Sequence, residues 1–530
     1  MALALAAALA CAPCHPAIVE SYAKTGMGRS FFALTPQTRV EDFVHGNRFE
    51  HAASQSSFHM IERGGRYYMR RRHPNGTIEK EINYVLGSGN RARSYVHRTA
   101  QGRLLAMPVS WYAEKGGFWE MAPGYDRPDH VDFRRKINYE CFFCHNGYPK
   151  TPSIDESDPV YLDPLPQGID CARCHGDPNQ HLKKPGAGNI LNPARLPPAR
   201  QIEICMQCHL ETTSHPLPHS MRRYGRPFFS YRPGEPLEDY MLHFDHPPGA
   251  PHANKFEVVS APYRLRKSAC FQRSGGRMTC STCHDPHARR VKNACASCHP
   301  KAHRAAEDCA ACHMPNRRPE DAPLTTIRDH WIRRQPESTP GPRLPDYKGR
   351  VVAYYPLNAN PLYLAAAQAR DGVNLAAGIA QLRDLEKRFA RQEFHWDLGE
   401  AFRKAGQKDA AAEQYLKALS AMPSLLPAWR GLALVRYPDL DPMLGGLKQS
   451  PRDAFLLTLL GTARNSETDL RAAIAADPEL PEAYVNLGAL LARQGRKNEA
   501  IELFRAVLAL DPRNVAALAN LKLALAPTPR

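Results

Sequence analysis

The 530-residue chain has no run of 18 or more consecutive apolar residues, so it offers no candidate membrane-spanning helix. It has no cysteine beyond Cys312, and beyond His330 only one histidine, His395. The C-terminal part therefore has little with which to hold a metal. Long uninterrupted helices are not expected before about residue 350, where most of the 47 prolines fall. Acidic residues are too few to balance the bases: 53 Asp and Glu stand against 70 Lys and Arg, a formal charge of +17. Such an excess ordinarily points to an anionic partner, nucleic acid or a membrane surface. The start, Met1 to Ala10, is similar to the back half of a signal-peptide apolar region. It has no basic stretch before it and runs straight into Cys11, so either the start lies upstream or the sequence is a trimmed form.

What the chain has instead is one motif seven times over. Two cysteines stand three apart with a histidine directly after the second at Cys11-Cys14-His15, Cys141-Cys144-His145, Cys171-Cys174-His175, Cys205-Cys208-His209, Cys280-Cys283-His284, Cys295-Cys298-His299 and Cys309-Cys312-His313. Of the 15 cysteines only Cys270 is left over. C-x-x-C-H is the attachment signature of c-type haem: two thiols bind the vinyl groups and the histidine reaches the iron. A zinc framework needs matched ligand pairs and fixes no histidine after each second cysteine, and a disulfide scaffold would not repeat one spacing. The expectation is seven covalent haems (haem c). Their propionates would offset much of the basic excess, which removes the case for nucleic acid. Thioether attachment takes place outside the cytoplasmic membrane, so the expected location is periplasmic or otherwise extracytoplasmic.

Five segments are expected. Residues 1–30 carry the first motif after the signal remnant, and 31–139 form a small β-rich insertion. There, two strand-like runs flank Gly64-Gly65, and Pro74-Asn75-Gly76 precedes another, so a hairpin is expected. Residues 140–334 are a six-haem core of loops and short helices, and 335–357 a Pro-rich linker. Residues 358–530 show a 34-residue period. Tyr484, Leu487, Gly488, Leu491, Gly495, Ala500, Phe504 and Pro512 match His395, Leu398, Gly399, Phe402, Gly406, Ala411, Tyr415 and Pro423 slot for slot. Weaker copies cover 358–391 and 447–480, with a shortened unit at Trp429–Leu432 and a capping helix from Asn514 to Leu525. This pattern resembles the tetratricopeptide repeat, a helical solenoid whose stacked pairs dock proteins.

The residues around two motifs carry a second resemblance. Gly168 to His181 is similar to the C-x-x-C-H-G-P-G-x-x-H pattern, and Met278 to His287 to the C-x-x-C-H-x-P-H pattern, of the multihaem superfamily that includes nitrification tetrahaem cytochromes, hydroxylamine oxidoreductase and pentahaem nitrite reductase. Asp177 departs from the first pattern where proline is usual. The resemblance implies that His181 and His287 are distal iron ligands. By the same resemblance Cys309 to Pro315 followed by Asp329-His330 makes His330 a third. After the first motif, Met27 stands where relatives have histidine, either as a ligand or as packing on the porphyrin. His51, His97, His130, His243, His246 and His303 complete the candidates, whereas His215, His219 and His252 lie in polar loops. The implied fold is mostly α: a haem-packed, loop-rich multihaem cytochrome domain with a β-rich insertion, followed by the repeat solenoid.

Motifs starting at Cys280, Cys295 and Cys309 lie so near in sequence that their haems must crowd, an arrangement suited to electron transfer with redox partner proteins. The rival is a reductase or oxidase of a small nitrogen or sulfur compound with one open iron. The C-x-x-C-K that pentahaem nitrite reductases use for such an iron is absent. A third reading makes the repeats a docking scaffold and the haems structural.

Overall fold

The computed structural model describes residues 10–151, 155–156, 158–212, 218–292, 294–300, 308–335, 344–347, 349–370, 372, 374–389 and 391–526. Among them no helix is long and apolar enough to cross a membrane.

The β-rich region is antiparallel. Arg48–His51, Ser56–Arg63, Arg66–His73 and Gly76–Ile82 make a four-stranded meander. Its central hairpin turns at Gly64 and Gly65, with φ of +60° and +74°, values that favour glycine and suit a two-residue turn. A second sheet runs from Phe31–Ala33 through Tyr84–Leu86, Ala92–Arg98 and Leu104–Ala106 to Arg135–Lys136. Alternate residues of both sheets, among them Phe58, Met60, Tyr67, Met69, Tyr95 and Trp119, close one core. Two ion pairs are buried there, Arg93 with Glu41 and Arg71 with Asp132.

Beyond residue 360 the chain is a stack of helix pairs: Pro361–Arg370 with Leu375–Leu385, Gln392–Lys404 with Lys408–Ala421, Leu426–Arg436 with Asp441–Gln449, Ala454–Arg464 with Glu467–Ala476, and Pro481–Arg493 with Lys497–Leu510. Val515–Leu525 ends the stack. The repeat residues explain the pairing. A Cβ on Gly399 would stand 2.8 Å from the Tyr415 ring and one on Gly488 2.6 Å from Phe504, so the small residue of one helix seats the large residue of the next. The unit expected as shortened at Trp429 is a full pair, with the Trp429 ring lying on Gly445 and Gly446.

Two features differ from expectation. The supposed linker 335–357 supplies a strand, Val352–Tyr355, which pairs with Met241–Asp245 and through it with Ser220–Arg222. On the far face of that sheet Met221, Leu242 and Phe244 join Leu362, Tyr363, Phe394 and Leu398 in one cluster, so the repeats and the motif region share a core. The repeats also dock on their own chain. Lys80 pairs with Glu479, Arg134 with Asp511 at 3.0 Å, and Lys136 with Asp477 at 3.4 Å. Asn75 Nδ2 donates to the Pro512 carbonyl at 2.8 Å, and Tyr224 Oη to Asp397 at 2.6 Å. Gly76 is pressed so closely to the repeats that a Cβ there would lie 2.6 Å from the Leu508 carbonyl oxygen.

Candidate functional site

Each C-x-x-C-H lies on a single helical turn. The His15 N–H donates to Cys11 O at 2.8 Å, and the same bond joins His175 to Cys171 and His284 to Cys280, each at 2.9 Å, and His299 to Cys295 at 2.8 Å. One turn brings residues three and four apart onto one face, so both thiols and the imidazole point the same way. The 12-residue helix Pro198–His209 carries the fourth motif at its C-terminal end, and helices Tyr139–His145 and Cys309–His313 carry the second and seventh.

Long-range contacts bring the turns together out of chain order. The Cys11 thiol lies within hydrogen-bonding reach of Cys171, Cys144 of Cys208, Cys205 of Cys280, and Cys295 of Cys309. Thus the first motif sits against the third, the second against the fourth, the fourth against the fifth, and the sixth against the seventh. The first segment is pinned by Tyr22 Oη, which donates to Ile169 O at 2.9 Å, and by Ile169 N–H, which donates to Met27 O at 3.0 Å. Arg173, inside the third motif, stacks on Phe143 at 4.2 Å and donates to the Phe143 carbonyl and to Gln207, with Cys208 Sγ 3.9 Å away. Sequence reasoning passed over it; a basic residue between two motif cysteines was the available signal.

The histidines facing these turns show an order of their own. His15 faces His181 with ring centroids 6.2 Å apart and planes 15° apart. His175 faces His287 at 5.9 Å and 18°, and His284 faces His330 at 6.1 Å and 28°. Each pair joins one motif histidine to one of the three residues singled out as distal candidates. Two metal–imidazole bonds of about 2 Å each, plus the distance from each bonded nitrogen to its ring centre, put centroids roughly 6 Å apart. The protonation pattern agrees. Nδ1 of His175, His181, His313 and His330 each meets a backbone carbonyl, of Leu191, Gly186, Arg333 and Arg328, at 2.8–3.2 Å. A carbonyl only accepts, so Nδ1 holds the proton and Nε2 keeps its lone pair for a metal. Asp329 steadies the last of these: burial works against its charge, but Arg264, 2.6 Å away, and Arg317 hold its carboxyl down at about 2.

Other candidates lie elsewhere. His51 and His130 belong to the β-rich region, with rings 5.6 Å from each other. His51 Nδ1 meets Ser54 and Nε2 meets Asp126, and His130 Nδ1 accepts from the Asp132 N–H at 3.2 Å. Both nitrogens of the first thus have partners within the β-rich region, and Nδ1 of the second accepts a backbone N–H of the same region. His97 is in the same region, its Nδ1 on Glu81 O. His246 stacks on His252 at 5.1 Å beside Tyr347. His243 is buried on strand Met241–Asp245 opposite Ser220, which brings it beside His219, one of the less favoured loop residues. His303 and His215 fall outside the described residues. His145 is buried deeply enough to push its imidazole down to about 4.

The surroundings of the motifs fit a large apolar group. None of the fifteen cysteines is buried, although cysteine is usually among the most buried residue types. Between Leu265 and Val351 the buried apolar residues among those described are Pro319 and Ala322. Porphyrins held by paired thiols and faced by paired imidazoles would supply the missing interior.

The relatives concern the other end of the chain. Residues 481–514 match the tetratricopeptide repeat family. The matched segment is the helix pair Pro481–Arg493 with Lys497–Leu510, and the pairs before it stack in the same way. Solved structures similar to it include TTC0263, a thermophilic tetratricopeptide repeat protein of Thermus thermophilus, at 20% identity over 31% of this chain and 97% of that one, with a TM-score of 0.26. MamA of Desulfovibrio magneticus RS-1 is 19% identical over 30% of this chain and 98% of its own, with a TM-score of 0.27. YrrB, described as a repeat protein with an unusual peptide-binding site, is 18% identical over 31% and 90%, with a TM-score of 0.26. None of the curated proteins matches the chain. In this chain the repeats contact its own β-rich region.

Proposed function

We propose that the chain is an exported seven-haem c-type cytochrome that transfers electrons between redox partner proteins. The observation that carries the reading is the set of three facing imidazole pairs, each near 6 Å, each with one member in a C-x-x-C-H turn. Bound haem supplies a one-electron iron couple. The chain supplies everything else. Fourteen cysteines would hold seven haems, and His15, His145, His175, His209, His284, His299 and His313 would be the proximal ligands. His181, His287 and His330 would be distal ligands opposite His15, His175 and His284. Filling both axial positions leaves no site for a substrate, which favours electron transfer over catalysis at those three. The thiol contacts would set the haems in neighbouring groups, the first with the third, the second, fourth and fifth together, and the sixth with the seventh, instead of isolated centres. The repeats would brace these groups by gripping the β-rich region and the strand Val352–Tyr355.

Denaturing mass spectrometry of the mature protein tests the reading, with a mass increase of seven haem units expected and Cys270 unmodified. Five or fewer, or haem that extracts into acid acetone, would sink it. EPR should then show low-spin iron at the three paired centres.

A further inference from the structure

The repeats grip their own chain, so the motif region is where a redox protein's approach has to be sought. Among the motif thiols Cys14, Cys298 and Cys312 are exposed. Beside Cys298, residues 284–292 fold back on themselves: Asp285 N–H donates to Arg290 O at 3.1 Å and Lys292 N–H to Cys283 O at 2.7 Å. This hairpin displays Arg289, Arg290, Val291 and Lys292, with Val291 68% exposed, and Arg273 and Arg277 are exposed on the preceding turn. Among the described residues none of these five cations has an ion-pair partner. Asp285 is the one carboxylate between 266 and 292, and it accepts the His287 N–H at 3.0 Å. Arg29 adds to the same field, since Arg289 is near enough to work against its charge. An ordered loop of unpaired like charges repels itself unless an outside anion compensates. An exposed apolar residue ringed by charge is the anatomy of a small protein interface.

We propose that an acidic redox protein docks on this hairpin, its carboxylates meeting Arg273, Arg277, Arg289, Arg290 and Lys292 around Val291, beside the fifth and sixth motifs. This rests on the electron-transfer reading. The test uses the full-length haem-loaded protein, an acidic plant-type ferredoxin as probe and a basic cytochrome c as control. The ferredoxin should bind the more tightly, and Arg289→Glu/Arg290→Glu/Lys292→Glu should weaken it by roughly tenfold or more at low salt. Carbodiimide should cross-link Lys292 to a ferredoxin carboxylate in the wild type, a readout that survives if the variant folds poorly. Equal affinity for probe and control, unchanged binding by the variant, or cross-links confined to the repeats would each overturn the proposal. So would a variant whose haem potentials shift along with its binding, because the cations would then be neutralising the chain's own propionates. Absence of covalent haem with ferredoxin binding intact would sink the electron-transfer reading and leave the surface standing.

Discussion

Between Pro361 and Leu525 apolar side chains meet one another, Phe504 against Gly488 and Tyr415 against Gly399 and Gly431. Between Leu265 and Val351 they have little to meet: among the described residues Pro319 and Ala322 are the buried apolar ones, although three C-x-x-C-H motifs lie there. One region carries its interior in its own sequence, and the other buries few apolar side chains of its own. The difference teaches that regular secondary structure and stability are separate matters in this chain. The short helical turns Cys295–Cys298 and Cys309–His313 are far below the length at which a helix persists unaided, so contacts from outside each turn must hold it in place.

Withholding haem attachment is the most severe way to break that comparison. In protein made without attachment, backbone amides of residues 270–335 should exchange faster by about three orders of magnitude, on the order of 4 kcal/mol of lost protection, while helices Pro481–Arg493 and Lys497–Leu510 keep theirs. Hydrogen exchange read by mass spectrometry decides this. Equal protection in both regions of the haem-free chain would show that the motif region has a sufficient core after all.

Truncation after residue 350 comes next, and here the shared cluster changes the expected result. An independent repeat module could be removed without consequence. Removing this one uncovers Met221, Leu242 and Phe244 and deletes the strand partner of Met241–Asp245. Uncovering each large apolar side chain costs about 1.5–3 kcal/mol, so the loss should reach roughly 5 kcal/mol and the truncated protein should melt well below the full chain. An unchanged melting temperature and haem spectrum would restore the picture of two separable halves. His181→Ala then probes a single centre: covalent haem should stay intact while one iron moves toward high spin in EPR, the His15 partner having been lost.

Which features could be read in advance follows from how local they are. The hairpin at Gly64-Gly65 and the repeat glycines are decided within a few tens of residues, by positive φ and by small-against-large packing. The attachment motifs are five residues long and complete in themselves. The partner of each facing histidine is another matter: His181 belongs to the neighbourhood of the third motif yet faces His15 of the first, and no spacing rule encodes that crossing. His51 and His130 entered as candidates because histidines crowd the first 330 residues. Their hydrogen bonds tie them to the β-rich region instead, which composition could not disclose. The strand Val352–Tyr355 escaped notice because four residues after a Pro-rich stretch carry too little periodicity to stand out.

The internal dock can be sharpened at one atom. Gly76 follows the Pro74-Asn75 turn directly under the Leu508 carbonyl. Gly76→Val should therefore wedge the β-rich region away from the repeats at a cost of about 1–3 kcal/mol, with the helix pairs themselves intact. A lower melting temperature with unchanged helical circular dichroism is the expected result, and a neutral substitution would mean that the close approach carries no energy.

The smallest effect concerns charge at the same interface. Burial by itself would raise the Asp158 carboxyl, but Lys136, 2.8 Å away, and Arg103, 3.0 Å away, outweigh it and hold the group below the usual carboxylate range. Both cations also reach Asp477 of the repeats, at 3.4 and 3.9 Å. A carboxyl whose folded pKa is depressed contributes stability that is present above its unfolded value, about 3.9, and is lost as pH falls through the folded one. The contact of Asp158 with Lys136 and Arg103 of the β-rich region should thus hold at neutral pH and weaken below about pH 4. Because Lys136 is partly exposed, the loss should be modest, about 1 kcal/mol. Asp158→Asn should remove that portion of the acid sensitivity and lower stability at pH 7 by the same amount, read from thermal melts at matched salt. A variant that melts with the same pH dependence as the wild type would show that other carboxylates, not this one, carry the acid sensitivity.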